Sequence, residues 1–305
     1  ALVLPLLGGE LRGGARIDAF NGASALQPRL SFAAPFARSW WVSAGIGRAA
    51  RLVHLISDAR SEPKVAYYDL WLPADDDAVP MAVADHFSAE IGWNSESSTL
   101  RLGVFTADGT GQMELVPEYA ALGGVPLIRR GRLRVRGAEV EGRTASADGR
   151  WLGMASYTLQ QSDRNWGDGW LPWVNDRRHQ LRLSAVHRPS NVTTFSASVE
   201  AASGQPYTPV APSESFPVVY ARENSARGRV GIRADIAVQR DIRGPFGTEI
   251  GIGFSVTNLA LGDQSPRQGE PRFVGAGPGV RGILPGSSPM FTLPPIPSLL
   301  LRVKF

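Results

Sequence analysis

The chain contains no cysteine, and it has no run of apolar residues long enough to cross a membrane as a helix. The first absence excludes disulfide bonds, thiolate zinc sites and a cysteine nucleophile. The second excludes a transmembrane helix, which needs about 18 or more consecutive apolar residues. The apolar start, residues 1–7, is too short for a secretory signal peptide and lacks its positive flank. We therefore expect that an exported protein lost its leader by processing or truncation.

Lysine is almost absent, occurring only as Lys64 and Lys304, so arginine supplies nearly all of the positive charge. The formal net charge is +4. The arginines are scattered, with no basic run interleaved with aromatic residues, which argues against nucleic-acid binding. Most of them fall on the polar faces of predicted strands. This distribution favours the wall of a polar lumen and contacts with anionic lipopolysaccharide.

Helical periodicity is weak, and apolar and polar residues alternate in many segments, which predicts β-strands. In one example Leu100, Leu102 and Val104 flank Arg101 and Gly103. These segments run for about 9–11 residues, the length that a tilted strand needs to cross a bilayer. Strands of soluble sandwiches are shorter, about 5–6 residues. The prediction is an all-β, antiparallel transmembrane β-barrel, and a mean hydropathy of −0.11 permits it because half of each strand is polar.

The last nine residues show this pattern most clearly. Leu299, Leu301, Val303 and Phe305 share one face of a predicted strand, and Arg302 and Lys304 share the other. Lipid on the apolar side, a polar lumen on the other and an aromatic residue at the interface are typical of a membrane barrel. We expect this C-terminal signature to contact outer-membrane lipid and to be recognised by the barrel-assembly machinery.

Long and short links alternate between the predicted strands, as periplasmic turns and extracellular loops do in outer-membrane barrels. The last strand follows a long link, so Phe305 is predicted to lie at the periplasmic interface. Twelve or thirteen strands are predicted, depending on whether residues 2–7 form one, and the fold class allows roughly 12–14. An odd number favours part of a larger barrel, because closed single-chain barrels have even numbers. The long links are 48–80, 107–130, 161–177, 203–227 and 259–296; the short ones are 35–39, 93–98, 144–149, 188–190 and 240–247.

Several short motifs occur in the order seen in the C-terminal barrel of TonB-dependent outer-membrane receptors, and the chain resembles that family over nearly its whole length. The motifs are Pro28-Arg29 with Gly45 and Gly47, Gly137-Ala138-Glu139, Ser156-Tyr157-Thr158 with Asp176 and His179, Gly204-Gln205-Pro206-Tyr207-Thr208, Asn224 with Arg227, Arg233-Ala234-Asp235, Val256-Thr257-Asn258-Leu259 and the terminal Phe305.

The resemblance implies a barrel of about twenty-two strands around a plug. It also implies import of a scarce substrate, an iron–siderophore or a cobalamin, across a Gram-negative outer membrane with energy from TonB. Residues 1–305 have no room for a plug domain and no TonB box. We therefore expect one domain, a C-terminal barrel portion, whose full-length relative would have the plug and TonB as partners.

The predicted site residues are the cations and one acid on polar strand faces, which would line the lumen, pair with plug acids and steer anionic ligands. A second set, in the link 161–177, is either an aromatic ligand surface or an interfacial girdle. No residue is assigned a catalytic role, and no cofactor is expected. The lumen set is Arg134, Arg136, Arg182, Arg229, Arg233, Asp235, Arg302 and Lys304, and the aromatic set is Trp166, Trp170 and Trp173.

Asp75, Asp76 and Asp77 form an acidic cluster in a predicted loop and are the weak candidate for a Ca²⁺ site. Their spacing does not match an EF-hand, so solvation in the loop is the simpler interpretation. Two other functions also fit the sequence: a passive porin-like barrel that closes on its own, and a soluble all-β binding or adhesin module. Solubility without detergent would favour the last of these.

Overall fold

The computed structural model describes residues 2–56, 70–75, 78–116, 127–209, 221–244, 248–259, 272–274, 282–284 and 294–304. Every regular element in these ranges is a β-strand. None of the described residues belongs to a helix long and apolar enough to cross a membrane. The strands are β1 (Leu2–Leu6), β2 (Gly9–Phe20), β3 (Ala23–Ala37), β4 (Trp40–Arg51), β5 (Val53–Ile56), β6 (Leu70–Pro73), β7 (Ala82–Asn94), β8 (Ser98–Val116), β9 (Leu127–Ala145), β10 (Trp151–Asn165), β11 (Trp170–Pro172), β12 (His179–Ser190), β13 (Thr193–Ala202), β14 (Pro206–Tyr207), β15 (Ala226–Arg227), β16 (Gly231–Arg243), β17 (Glu249–Thr257), β18 (Arg272–Val274), β19 (Gly282–Leu284) and β20 (Ile296–Lys304).

Fourteen of the described strands form one antiparallel sheet whose order follows the chain. Thirteen lie on the continuous path β1-β2-β3-β4-β7-β8-β9-β10-β12-β13-β16-β17-β20, and β11 pairs with β10 beside it. The remaining strands form three two-stranded sheets, β5-β6, β14-β15 and β18-β19. Residues 2–6 do form a strand, so the higher of the two predicted counts matches the path.

The links between path strands alternate as predicted over most of the chain. Short links separate β3 from β4, β7 from β8, β9 from β10, β12 from β13 and β16 from β17. The long link predicted over 107–130 is shorter, because β8 continues to Val116 and β9 begins at Leu127. The link between β2 and β3 is a two-residue turn, Asn21-Gly22. Its φ values of 48° and 85° suit the Asn-Gly turn of a tight hairpin.

The chain divides into two compact units. Unit 1 comprises Ala1–Ile91, Gly103–Ala138 and Gln160–Asp176. In this unit, Ile17 lies opposite Leu26, and Leu30 lies opposite Ile46. All four side chains are exposed, so this stretch of sheet has an apolar face turned to its surroundings.

The polar face of unit 1 lies on the other side of the same strands, because alternate residues of a strand point to opposite faces. Arg16 lies opposite Gln27 on this face. Arg16 pairs with Asp18 at 2.6 Å, and the Gln27 amide also donates to Asp18 at 2.6 Å. Gln27 is only 3% exposed, and its Oε1 accepts a hydrogen bond from the backbone N–H of Ala50. The two faces therefore differ in chemistry as the sequence alternation predicts.

Unit 2 comprises Gly92–Leu102, Glu139–Leu159 and Arg177–Phe305, and it also has one apolar and one polar face. Because the registers are regular, cross-strand rows can be followed through several strands. One apolar row runs Trp151, His187, Phe195, Val238, Phe254 and Leu299.

The polar row nearest the middle of unit 2 runs Ser156, Arg182, Glu200 and Arg233. Burial on the apolar face of β20 is slight: Leu299, Leu301 and Val303 are 78%, 66% and 46% exposed. The terminal strand pairs with β17 as predicted, with Leu301 opposite Ile252. In the strand order of the described residues, β20 stands at the end of the path and β17 is its neighbour. Phe305 lies outside the described residues.

Candidate functional site

A carboxylate held between two arginines lies near the ends of β8, β9 and β10 in unit 1. Glu114 accepts a hydrogen bond from Arg129 at 2.7 Å through one oxygen and pairs with Arg164 through the other. Arg164 is 4% exposed and Glu114 15%, so both charges are largely out of water. Removing one partner from a buried pair leaves the other charge uncompensated. The three side chains therefore fix one another in place.

The indole of Trp166 packs against this ion pair. The guanidinium carbons of Arg129 and Arg164 lie 5.1 Å and 5.6 Å from the ring centroid, within the range of cation–π attraction. Gly131 makes room for the ring, because a Cβ there would collide with the indole and with the carbonyl oxygen of Asn165. The indole Nε1 is buried and has no hydrogen-bond partner within the described part of the chain.

A cavity of about 440 Å³ opens beside Trp166, and we call it the loop-end pocket. Among its charged lining residues are three arginines and one glutamate, a formal excess of two positive charges. A concave site with aromatic walls and a few convergent polar groups is typical of small-molecule binding. Here the cations would favour an anionic ligand. The pocket is lined by Ala49, Ala50, Arg51, Leu55, Ala82, Val83, Ala84, Gln112, Met113, Glu114, Arg132, Leu133, Arg164, Trp166, Trp173, Val174 and Asn175.

His54 lies beside this pocket on β5, next to the lining residue Leu55. Its side chain is 1% exposed, and Nε2 lies 2.6 Å from the carbonyl oxygen of Pro80. Burial lowers the pKa of His54, more strongly than the contact with Pro80 raises it; the positive charge of Arg51 lowers it further. The imidazole is therefore held neutral, and its Nε2–H donates to the carbonyl.

The aromatic residues predicted in the link 161–177 do not act as one cluster. Trp166 and Trp173 line the loop-end pocket, whereas Trp170 lies under a different arginine. The guanidinium of Arg134 is 4.3 Å from the Trp170 centroid, and its Nε bonds Asp108 at 3.0 Å. The structure thus brings one predicted lumen cation onto one predicted loop aromatic. The cation–π contacts involve Trp166 and Trp170, and the choice between a ligand surface and an interfacial girdle stays a prediction.

The predicted lumen residues of unit 2 share the polar face. Arg182 lies opposite Glu200, which lies opposite Arg233, and the pair Arg182–Glu200 measures 3.5 Å. Arg233 also pairs with Asp235 at 3.0 Å. Asp235 in turn accepts from the backbone N–H of Asn258 at 2.7 Å, which anchors the end of β17. These arginines remain about half exposed and accessible to a ligand or a partner.

The other predicted cations are more dispersed. Arg302 pairs with Asp241 at 3.0 Å on the same polar face, and Lys304 lies opposite Glu249 in the register. Arg136 donates to Gln161 at 3.2 Å in unit 1, while Arg229 lies two residues before the start of β16. Their lumen role stays a prediction.

The acidic cluster gains no support as a cation site. Asp75 Oδ1 accepts from the backbone N–H of Val79 at 2.8 Å, which closes a turn. Asp76 and Asp77 lie outside the described residues. Within the ranges that the structure describes, no group of three acidic or histidine side chains is arranged to hold a metal ion.

The fold of the chain is that of known outer-membrane proteins. It superposes on the ferripyoverdine receptor of Pseudomonas aeruginosa with a TM-score of 0.54 and 10% sequence identity, over 82% of this chain and 32% of that one. It superposes on the ferric enterobactin receptor of the same organism with a TM-score of 0.55 and 13% identity, over 98% and 42%. The predicted fold class, an antiparallel transmembrane β-barrel, is therefore confirmed.

The chain spans less than half the length of either receptor. The toluene transporter TodX of Pseudomonas putida also matches, at 13% identity over 83% of this chain and 71% of that one, but with a TM-score of only 0.33. No family model matches the sequence. No curated protein matches it either.

Sequence reasoning missed the ion-pair cluster at the loop-end pocket, of which Glu114 and Arg164 line the cavity. Glu114, Arg129 and Arg164 fall within or beside links that were predicted to be irregular. The sequence signal that could have found them is continued alternation: Met113 and Leu115 flank Glu114 on β8. Extending β8 and β10 toward the loops places these side chains on ordered strands.

Proposed function

We propose that this chain is the barrel portion of a Gram-negative outer-membrane receptor that imports a scarce anionic substrate. The observation that carries the proposal is the loop-end pocket, where Arg51, Arg132 and Arg164 surround a cavity with Trp166 on one wall. Guanidinium groups bind carboxylates and other oxyanions by charge-assisted hydrogen bonds. Arginine and tryptophan together suit a ligand with both negative charge and planar groups.

The polar face of unit 2 supports the same proposal. Arg182, Arg233 and Arg302 keep large exposed fractions although each has a carboxylate nearby. Exposed ion pairs are weak, so these guanidinium groups can exchange a carboxylate partner for an anionic ligand. On a lumen wall they would steer an anionic substrate, or pair with acids of a plug.

The neighbours in fold support the choice of substrate class. Both are named as receptors for ferric complexes, ferripyoverdine and ferric enterobactin. We infer that this chain handles a ferric siderophore or a similar anion, with a plug domain and TonB as partners in the full-length protein. Insertion into the outer membrane would use the barrel-assembly machinery and the strand β20. We assign the chain no catalytic activity.

Binding of ferric enterobactin and ferripyoverdine to the full chain in detergent micelles tests the proposal. Each complex is titrated while tryptophan fluorescence is recorded, because Trp166 and Trp173 line the pocket. Arg132→Gln is expected to weaken binding about 10-fold or more, since a hydrogen bond to a charged group contributes about 1.5–3 kcal/mol. Arg150→Gln is the matched control, because Arg150 lies outside the pocket and pairs with Asp148 in a short link.

Saturable binding that Arg132→Gln weakens and Arg150→Gln does not would support an anion pocket. Equal affinities for the two variants would contradict the pocket. Recovery of the chain in the soluble fraction without detergent would contradict the membrane function altogether and favour the soluble binding module.

A further inference from the structure

The apolar face of unit 2 contains a depression of about 640 Å³ that the proposed uptake function does not use. We call it the lateral groove. Its floor consists of small residues, Gly142, Gly153, Ala185 and Ala197, and larger apolar side chains such as Leu100 stand along it. A volume of this size is within the range of pockets that hold small molecules.

The strand registers place the floor of the groove on the apolar face. Gly153 lies opposite Ala185, which lies opposite Ala197, so the three form one cross-strand row. In the adjacent row of the same face Ala155 lies opposite Leu183, which lies opposite Val199. Both rows lie on the same face of the sheet as the exposed apolar residues Trp151 and Phe195. The groove is therefore a recess in the surface that the transmembrane fold turns toward lipid.

Neighbouring atoms do not require glycine at the floor of the groove. A Cβ added at Gly153 would lie 3.6 Å from Thr144 Cγ2, and one at Gly142 would lie 3.8 Å from Leu100 Cδ1. Both are ordinary van der Waals distances, so the backbone tolerates a larger side chain at each position. A recess that stayed unfilled in a bilayer would lose dispersion contacts, because a gap of even 0.5–1 Å forfeits roughly a quarter to a half of the attraction per atom pair.

The end of the groove near the short links has an amphipathic rim. The rings of Trp151 and His187 stack with centroids 3.9 Å apart, one row beyond Gly153 and Ala185. The hydroxyls of Ser98 and Thr144 hydrogen-bond at 2.8 Å beside the short link 146–150. Aromatic rings with a polar edge concentrate at the headgroup level of membranes. An apolar recess with such a rim matches a lipid, with its acyl chain in the recess and its headgroup at the rim.

We propose that the lateral groove holds one ordered phospholipid of the periplasmic leaflet, with an acyl chain on Gly153, Ala185 and Ala197. The occupant is a phospholipid because the groove continues the lipid-facing apolar surface and its rim lies at the short, periplasmic links. This inference rests on the membrane location in the proposed function but not on the ligand of the loop-end pocket.

Native mass spectrometry of the full chain tests the site after reconstitution in phosphatidylethanolamine vesicles and extraction with a mild detergent. The wild-type chain is expected to retain phosphatidylethanolamine, and Ala197→Leu, which fills the groove, is expected to lose it. Ala201→Leu is the matched control: the same substitution on the same strand and face, four residues away and outside the groove. Ala185→Leu provides a second groove variant if Ala197→Leu does not fold, as judged by heat-modifiable migration on a gel.

Equal lipid retention by the groove variants and Ala201→Leu, or no retention by the wild-type chain, would overturn the lipid site. A wild-type dimer that Ala197→Leu dissociates would show that a second copy, not a lipid, covers the groove. Siderophore titration of the same variants keeps the two proposals separate. If the groove variants lose the lipid and keep the siderophore affinity of the wild-type chain, the result supports the lipid site. A loss of siderophore binding in Arg132→Gln alone tests only the loop-end pocket.

Discussion

The loop-end pocket of unit 1 and the polar face of unit 2 use the same residue types in opposite ways. In the pocket Arg164 is 4% exposed and shares Glu114 with a second arginine. On the polar face Arg302 and its partner Asp241 are 58% and 44% exposed. A buried pair fixes geometry because either charge alone is costly, whereas an exposed pair exchanges readily with water. The ion pair of the pocket therefore fixes the positions of its side chains, whereas the charges of the polar face remain available to bind other groups.

Removing the carboxylate from each region gives the largest expected contrast. Glu114→Gln removes the carboxylate that Arg129 and Arg164 share in a largely buried site, and it is expected to cost about 3–5 kcal/mol of unfolding free energy. Asp241→Asn, the matched change on the polar face, is expected to cost at most about 1 kcal/mol. Urea titrations in phospholipid vesicles measure both. Equal losses would mean that the two regions do not differ in the way proposed.

Much of the polar-face arrangement could be predicted from the sequence, and little of the pocket could. Alternation assigns Arg182, Arg233 and Arg302 to a polar face, because period two is a local property of a strand. Register then brings Glu200 opposite both Arg182 and Arg233, and it places Asp241 in the same cross-strand row as Arg302. The pocket depends on where β8 and β10 end, which pairing between neighbouring strands decides and local propensity does not.

The turn at Asn21-Gly22 shows what a local signal can predict. An Asn-Gly pair between alternating segments favours a tight hairpin. The structure has that hairpin, since both residues adopt positive φ at little cost. The lengths of the longer links depend instead on where the paired strands end, as the shortened link over 107–130 shows.

A charge placed on each face of unit 2 sharpens the comparison between faces. Ile236 is 48% exposed on the apolar face, and its chain neighbour Ala237 points to the polar face. Ile236→Arg is expected to cost about 2–4 kcal/mol if the residue lies near the bilayer midplane, and Ala237→Arg close to nothing. Unfolding in vesicles measures both values. Equal tolerance of the two arginines would contradict a lipid-facing apolar side.

The smallest expected effect is local and depends on pH. Because burial holds the pKa of His54 below its ordinary value near 6.5, the opened β5-β6 hairpin takes up a proton before the closed one does as pH falls. The hairpin is therefore most stable above about pH 6.5 and loses stability as pH falls from there toward the lowered pKa. Hydrogen exchange of the Leu55 and Leu72 amides, on the paired strands β5 and β6, should show faster opening at pH 5.5 than at pH 7.5 after correction for intrinsic rates. The variant His54→Gln should lose this dependence, because glutamine keeps a donor for Pro80 and does not titrate. A pH response that survives in the variant would assign the effect to another group.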